Sequence, residues 1–307
     1  MAKTKHSEDL SSSNSAPKRE IFQWKGHEIT FIRWPSTNPK NKEKIVLIGG
    51  WCSTTGYWKL VIPFFQTLGE VIELDLIGHF PARFLQNFTR IQLKDFLEAQ
   101  AESVWHSAGY KEVSLVGHST GGMAVMALSA LFPERIKQTV TIAPYVHGPV
   151  KGPLKFGVLG LRGNLGLFFD FGFKLGRNIP KFLDFGFSFG VADSKRFHSN
   201  PEIVAFLKEY EPEFQNLEAR NMLMLLEMLD RTDIRPLLFG NKVPMLLIRG
   251  DEDPVVSPKD LIEIERGTPA LSSIHFADCG HFVHLEKPRE FQKVVHDFFS
   301  EKRNLKK

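Results

Sequence analysis

The chain has 307 residues, with 42% hydrophobic and 24% charged side chains, an ordinary balance for a globular protein. The formal net charge is only +4, and residues 301–307 already carry +3, from four basic side chains against Glu301. No basic face for nucleic acid is therefore expected. Two cysteines, Cys52 and Cys279, are too few for a disulfide framework and indicate a reducing, cytoplasmic setting.

Both ends of the chain are polar. Residues 1–20 are rich in Ser, Lys and Glu and have no apolar core, so we expect a disordered tail rather than a secretory signal. Residues 301–307 are expected to form a basic tail. No uninterrupted apolar run is long enough to span a bilayer, so a membrane span is not expected.

The first predicted elements are strands. Ile21–Trp34 alternates loosely around the turn at Lys25-Gly26, which predicts an antiparallel hairpin. Lys44–Ile48 is an unbroken run of mostly β-branched residues, which is typical of a buried strand. It ends in the glycine pair before Trp51.

The next predicted elements alternate helix and strand, as in an α/β protein. Tyr57–Leu68 has helical spacing, and Val71–Leu74 predicts the following strand. A turn follows at 75–80, in which His79 is interpreted as a turn residue rather than a catalyst. Leu93–Ala108 then has the apolar spacing of an amphipathic helix.

A serine lies in a tight turn between a strand and a helix near the middle of the chain. Glu112–Val116 is a short apolar run of strand type, and Met123–Leu131 has the composition of a buried helix. Small residues at Gly117 and Gly121 let the backbone fold sharply, so the Ser119 hydroxyl is pushed out above the sheet edge. The start of the helix adds N–H donors and a positive dipole end close to that hydroxyl.

A long insertion follows the next predicted strand, Thr139–Ile142. No acid follows this strand, and roughly 90 residues separate it from the next clear strand, which is too many for an ordinary loop. The pattern predicts a cap or lid over 146–237, inserted between core parts at 21–145 and 238–300. Pro201–Tyr210 and Asn216–Leu229 are predicted to be helices of this cap.

The cap is rich in Phe and Gly, and one motif in it is repeated. Asp170-Phe171-Gly172-Phe173 recurs fourteen residues later as Asp184-Phe185-Gly186-Phe187. This offset fits one face of a single helix or two short helices joined at Pro180. Such a surface could form a pocket wall, ordinary packing beneath the cap, or a face that makes weak contact with a membrane. Kinases also contain Asp-Phe-Gly, but no phosphate loop or lysine-bearing strand accompanies it here.

Acidic and histidine-bearing loops follow the last two predicted strands. Val243–Ile248 runs into a turn that contains Asp251 and Asp253. Ser273–Phe276 leads to a loop in which His281 follows a glycine and precedes Glu286-Lys287-Pro288. A helix to Phe299 completes the predicted elements.

Together, the serine turn, the acidic turn and the Gly-His loop resemble the α/β-hydrolase superfamily, from about Ile21 to Ser300. The resemblance implies a mostly parallel central sheet flanked by helices, with a helical cap insertion. It implies that Ser119 is the nucleophile, Asp253 the triad acid with Asp251 as the fallback, and His281 the base, in the chain order that this family uses. The oxyanion donors that it implies are the backbone N–H groups of Trp51 and Thr120.

The implied activity is that of a serine esterase or lipase-like enzyme acting through an acyl-Ser119 intermediate, without a cofactor. The expected substrate is a small ester or lipid-like molecule with an apolar acyl group. Haloalkane dehalogenases and epoxide hydrolases of this fold use Asp at the serine position, so Ser119 argues against both. Acyltransferases, carbon–carbon bond hydrolases, cofactor-free haloperoxidases and a non-catalytic ligand- or lipid-binding protein stay open, as does the oligomeric state.

Other residues with possible chemistry are interpreted as structural. His281 and His284 form a His-x-x-His pair, but no third ligand with a recognisable spacing accompanies them, so no metal is expected. His118 is interpreted as a packing or loop-orienting residue. Cys52 and Cys279 are interpreted as buried free thiols rather than as a reactive thiol or a redox bridge.

Overall fold

The computed structural model of the protein describes residues 17–151, 155, 166–177, 179 and 181–304. Within these residues, nine strands form one sheet in the order β1-β2-β4-β3-β6-β7-β8-β9, with β5 paired to β2. The strands are β1 (Arg19–Trp24), β2 (His27–Trp34), β3 (Lys44–Ile48), β4 (Glu70–Leu74), β5 (Arg83–Phe84), β6 (Val113–His118), β7 (Ile136–Ile142), β8 (Met245–Gly250) and β9 (Leu271–Phe276).

The helices flank this sheet or lie between β7 and β8. Those before β7 are α1 (Ile62–Leu68), α2 (Leu93–Ser107) and α3 (Thr120–Leu131). Those between β7 and β8 are α4 (Gly166–Gly176), α5 (Phe182–Gly190), α6 (Ser194–His198), α7 (Pro201–Phe214), α8 (Ala219–Asp230) and α9 (Arg235–Leu238). The last three are α10 (Pro258–Gly267), α11 (Val283–Glu286) and α12 (Pro288–Asn304).

The sheet has the mostly parallel arrangement that the sequence predicts. Strands β3, β4, β6, β7, β8 and β9 pair in parallel, whereas β1 and β2 form the predicted antiparallel hairpin. The central strand β6 is buried along its whole length, which explains its apolar run without alternation. The carboxyl ends of parallel strands share one sheet edge, so the loops after β3, β6 and β8 meet there.

Several element boundaries differ from the prediction. Strand β1 begins at Arg19, so the predicted tail over 1–20 ends too late, and residues 1–16 lie outside the described residues. Helix α1 begins at Ile62 rather than Tyr57, because residues 55–61 form turns before Pro63 starts the helix. Helix α12 continues to Asn304, so the predicted basic tail begins inside a helix.

We call residues 143–244, between β7 and β8, the helical segment. The two Asp-Phe-Gly-Phe copies lie in separate helices, α4 and α5, so a single continuous helix is wrong. Pro180, the proposed junction, lies outside the described residues. The domain limits at 146 and 237 stay predictions. Among the helices that the structure describes, none has the length and apolar character needed to cross a bilayer.

Gly121 offers a test of how tightly helix α3 packs on the loop after β3. A Cβ atom at this position would lie 2.2 Å from the Ile48 carbonyl oxygen, so Gly121→Ala should destabilise the fold by about 3 kcal/mol or more. Thermal unfolding measures the effect. Gly172→Ala is the control, because its Cβ meets no atom within 4 Å. An unchanged melting temperature for Gly121→Ala would contradict the packing described.

Candidate active site

Ser119 occupies a strained turn between β6 and α3. Its backbone has φ 54° and ψ −113°, a conformation that residues other than glycine rarely adopt. The turn closes tightly because Gly117 and Gly121 leave no room for side chains: a Cβ at Gly117 would lie 2.3 Å from the Gly121 carbonyl oxygen. Ser119 is buried, but it lines a cavity that a ligand can occupy.

Asp253 and His281, from the loops after β8 and β9, form a buried hydrogen-bonded pair. His281 Nδ1 lies 2.8 Å from Asp253 Oδ2, and both side chains are almost fully shielded from solvent. The other carboxylate oxygen accepts hydrogen bonds from the backbone N–H groups of Val255 (2.7 Å) and Val256 (2.9 Å). These three donors fix the Asp253 carboxylate in the orientation that a general base requires of its partner.

The alternative acid, Asp251, points elsewhere. It pairs with Arg249 at 3.0 Å, and about half of its side chain is exposed. Its geometry therefore assigns it to a surface ion pair rather than to His281.

Ser119 and His281 line the same cavity, and the neighbouring residue His118 joins their loops. The His118 Nε2–H donates to the His281 carbonyl oxygen at 3.0 Å, and Tyr57 donates its hydroxyl to His118 Nδ1 at 2.8 Å. Burial lowers the pKa of His118 well below its usual value, which keeps it neutral in this role. Within the described residues, Ser119 Oγ makes no hydrogen bond; such contacts are often long in ligand-free enzymes and tighten when substrate binds.

The loop that carries His281 is fastened to the end of α5. The His281 N–H donates to the Gly190 carbonyl oxygen at 2.7 Å. The Glu286 carboxylate accepts hydrogen bonds from the Gly280 N–H at 3.0 Å and from the Ala192 N–H at 2.9 Å. Glu286 thus links the loop to the helical segment, a physical reason for an acid at this spacing after the histidine.

The loop after β3 passes directly beside Ser119. A Cβ at Gly50 would lie 3.0 Å from Ser119 Cβ, so the next peptide group, that of Trp51, borders the hydroxyl. Thr120, the first residue of α3, offers its N–H at the start of the helix. Neither of these N–H groups donates to a protein acceptor in the part of the chain that the structure describes. Both predicted oxyanion donors therefore lie next to Ser119 and are unpaired.

This loop, residues 49–56, is held from two sides. From the core, His79 Nε2 accepts from the Cys52 N–H at 3.1 Å, and burial lowers the pKa of His79 to about 4, so its ring stays neutral. From the helical segment, the Tyr210 hydroxyl accepts from the Thr54 N–H at 2.7 Å. The Trp51 indole N–H donates to the Met222 carbonyl oxygen at 2.8 Å.

Two buried acids complete the support of the same loop. Glu73 accepts from the Gly56 N–H at 2.8 Å, and Asp75 accepts from the hydroxyls of Thr30 (2.6 Å) and Thr55 (3.0 Å). Burial raises the pKa of Glu73 to about 7. Burial, with a contribution from the neighbouring Glu73, raises the pKa of Asp75 to about 8.

The cavity around Ser119 has a volume of about 380 Å³ and a largely aromatic wall. The helical segment supplies much of this wall, and Phe282 stands beside His281. The aromatic lining residues are Trp51, Tyr57, Tyr145, Phe173, Phe182, Phe185, Phe187, Phe189, Tyr210, Phe214 and Phe282. The two copies of the repeated motif therefore do form a pocket wall, through Phe173 and Phe187.

A sequence profile of the alpha/beta hydrolase family matches residues 45–294. The chain belongs to the alpha/beta hydrolase family. This membership, together with the sheet order and the flanking helices, confirms the fold that the sequence predicts.

Individual relatives of this alpha/beta hydrolase are distant but cover most of its length. It is 23% identical over 252 residues to a pimeloyl-[acyl-carrier protein] methyl ester esterase of Nitrosomonas europaea, across 82% of this chain and 93% of that protein. It is 26% identical over 302 residues to a cis-3-alkyl-4-alkyloxetan-2-one decarboxylase of Shewanella oneidensis, across 94% and 90%. The structure of an enol-lactonase from Burkholderia xenovorans LB400 superposes with a TM-score of 0.74 at 17% identity, across 92% of this chain and all of that chain.

His284, Cys52 and Cys279 are the other residues with possible chemistry in this hydrolase. His284 is fully buried against Trp58, with ring centroids 5.0 Å apart, and burial lowers its pKa to about 3. Among the described residues, no group of three or more His, Cys, Asp or Glu side chains is arranged to hold a metal ion. Cys52 and Cys279 are both free; Cys279 is buried as predicted, whereas Cys52 is only partly buried and lines the cavity. Burial raises the pKa of each thiol, which disfavours the reactive thiolate.

The structure adds functional residues that local motifs do not reveal. Tertiary contacts bring three aromatic residues to the site, Tyr57, Tyr210 and Phe282. In the sequence, Glu73 is an ordinary residue of a predicted strand. Glu286 was visible as part of the Gly-His motif, but its two backbone partners were not.

The buried acids predict an unusual dependence of stability on pH. Because their pKa values are raised in the folded state, their contribution is present below the unfolded pKa near 4 and is lost as pH rises through about 7 to 8. Asp75→Asn removes one titrating group. The difference in free energy of unfolding, variant minus wild type, should therefore be larger at about pH 9 than at about pH 5. Urea unfolding at both pH values measures this difference.

Thr30→Val is the matched control for this experiment. It removes one hydrogen bond to Asp75 but leaves the ionisable group, so it should lower stability at both pH values without removing the pH dependence. A difference between Asp75→Asn and wild type that stays constant with pH would contradict the role assigned to Asp75.

Proposed function

We propose that this alpha/beta hydrolase cleaves carboxylic esters with an apolar acyl group through an acyl-Ser119 intermediate. The observation that carries the proposal is the buried Asp253–His281 hydrogen bond of 2.8 Å. His281 lines the same cavity as Ser119, which lies in a strained turn. The family membership supports hydrolysis as the general reaction.

In the proposed reaction, Ser119 Oγ attacks the ester carbonyl carbon and gives its proton to His281 Nε2. Asp253 holds the Nδ1–H of His281 and stabilises the imidazolium that forms. The carbonyl oxygen becomes an oxyanion and accepts hydrogen bonds from the N–H groups of Trp51 and Thr120, each worth about 2.7–4 kcal/mol. The oxyanion collapses, the carbon–oxygen bond to the alcohol breaks, and His281 returns its proton to the departing alkoxide.

Water completes the proposed cycle. His281 removes a proton from a water molecule, whose oxygen attacks the acyl carbon of the Ser119 ester. The second oxyanion collapses, the bond to Ser119 Oγ breaks, and the serine recovers its proton from His281. The products are the free acid and the alcohol.

The cavity wall favours an apolar acyl group. Its aromatic rings provide apolar surface, and among the described lining residues the only Lys, Arg, Asp or Glu is Lys151, which pairs with Asp260 at 2.6 Å. A volume of about 380 Å³ lies within the usual range for small-molecule sites. The relative from Nitrosomonas europaea is named as an esterase of a pimeloyl-[acyl-carrier protein] methyl ester, which supports a carboxylic ester as the substrate class.

A second candidate is cleavage of a strained lactone with loss of carbon dioxide. The relative that covers 94% of this chain is named as a decarboxylase of a dialkyl oxetan-2-one, a substrate that is also apolar. Carbon dioxide release from such a lactone, with no free hydroxy acid, would favour this candidate. Acyl transfer is separated from hydrolysis by offering an alcohol acceptor and measuring the new ester.

We also propose a cytoplasmic location, on the ground that both cysteines are free thiols. Cell fractionation with an antibody tests it. Recovery in an oxidising extracellular fraction would contradict it.

Ser119→Ala tests the proposed function. It should lower kcat for esters of apolar acids by about 10⁴-fold or more, because the variant lacks the hydroxyl that forms the proposed acyl intermediate. A fluorophosphonate probe should label Ser119 in the wild type, and peptide mass spectrometry locates the label. A panel of esters of increasing acyl length is assayed beside it. Ser114→Ala is the control, since Ser114 lies in strand β6, which leads to Ser119, and its hydroxyl donates to Glu43 at 2.7 Å. A folded wild type without label on Ser119 would remove the nucleophile assignment.

A further inference from the structure

Helices α4 and α5 expose large apolar side chains to solvent. Phe171 is 66% exposed, Leu175 58% and Phe185 71%, which are high values for side chains of this size. We call the set Phe171, Leu175, Ile179, Phe185 and Phe189 the apolar face. Each of the two helices contributes a pair of these side chains one turn apart, and exposed apolar surface of this kind marks a site of interaction in a folded protein.

The apolar face is the outer side of helices that also have a buried inner side. Phe173, two residues after Phe171, is buried and lines the cavity, as is Phe187, two residues after Phe185. Phe171 and Leu175 are one helical turn apart, so they share a side of α4. Packing against the core therefore explains the inner residues, whereas the outer ones stay exposed to solvent beside the residues that the structure describes.

The cavity that contains Ser119 reaches the apolar face. Phe185 and Phe189 belong to both: each lines the cavity, and each is substantially exposed. An apolar molecule that lies against this face would therefore meet the cavity without crossing a polar rim at these two residues.

The sequence around the apolar face is basic. Residues 151–190 contain six Lys or Arg and two Asp, a net charge of +4, whereas the charges in the rest of the chain sum to zero. Lys155, Lys174 and Lys181 are exposed in the structure. Aromatic side chains interspersed with cations suit the boundary between headgroups and acyl chains of an anionic lipid surface.

We propose that the apolar face docks on a lipid surface that contains anionic headgroups, with the mouth of the cavity turned toward the lipid. A second copy of the chain is disfavoured as the occupant, because it would bring two segments of charge +4 together. No described helix can cross a bilayer, so the contact is interfacial. The proposal goes beyond ester hydrolysis and does not require Ser119.

Co-sedimentation of the full chain with vesicles tests this docking. The wild type should bind mixed phosphatidylcholine–phosphatidylglycerol vesicles, bind pure phosphatidylcholine vesicles far less, and dissociate as salt concentration rises. Phe171→Ser combined with Leu175→Ser should weaken binding to the mixed vesicles by about tenfold or more. Ser119→Ala should bind as the wild type does, which separates a failure of docking from a failure of the proposed chemistry.

Phe239→Ser is the matched control, because Phe239 is 50% exposed but lies beside Gly267 of α10. It should bind vesicles as the wild type does. The double variant should also hydrolyse a water-soluble short ester at the wild-type rate, since neither Phe171 nor Leu175 lines the cavity. A loss of that activity would show a folding defect, which circular dichroism checks. The single variant Phe171→Ser then replaces the double variant in the same vesicle-binding assay.

Three results would overturn the proposal. The first is a wild type that binds no vesicles, and the second is equal binding to both kinds of vesicle. The third is a wild type that elutes as a dimer while the double variant elutes as a monomer and neither binds lipid, which would assign the apolar face to a second copy of the chain.

Discussion

The hydrogen bond between the Asp253 carboxylate and His281 Nδ1 is the interaction on which the proposed chemistry depends. A buried carboxylate is costly unless hydrogen bonds replace its hydration, and here two backbone N–H groups and the imidazole do so. The same bonds fix the imidazole tautomer and leave Nε2 for the cavity. In the proposed reaction, Ser119 and the Trp51 N–H can act only if His281 is held in place as the base.

The helical segment is part of the site as well as part of its enclosure. It receives a hydrogen bond from the His281 N–H through Gly190, and it holds the loop of Trp51 through Met222 and Tyr210. The base and the proposed oxyanion donors are therefore tied to the same group of helices that forms the cavity wall. A shift of these helices on lipid would act on both, which connects the proposed docking to the geometry around Ser119.

Local patterns in the sequence were sufficient for the fold, and they also selected Ser119, Asp253 and His281, whose roles stay a prediction. The sharp turn at Ser119 can be predicted without the tertiary structure, because the spacing of Gly117 and Gly121 defines it. The choice of Asp253 over Asp251 rested on the family resemblance, and the structure supplies the physical reason, since Asp251 pairs with Arg249 at the surface.

Contacts between distant parts of the chain could not be predicted in this way. Nothing near Thr54 in the sequence points to Tyr210, and nothing near Glu73 points to Gly56, because these pairs are created by packing. The repeat of Asp-Phe-Gly-Phe fitted one helix or two with equal ease, and only the break between Gly176 and Phe182 decides between them. The net charge of +4 in residues 151–190 equals that of the whole chain, so the total alone does not show that the charge is concentrated there.

Detection of an acyl group on Ser119 is the decisive experiment for the proposed reaction. The protein is mixed with an activated ester of an apolar acid, quenched in acid during the first turnover, digested and analysed by mass spectrometry. The account predicts a peptide that contains Ser119 and is heavier by the mass of the acyl group, absent from Ser119→Ala. Turnover with Ser119 unmodified, or with the acyl group on another residue, would contradict it.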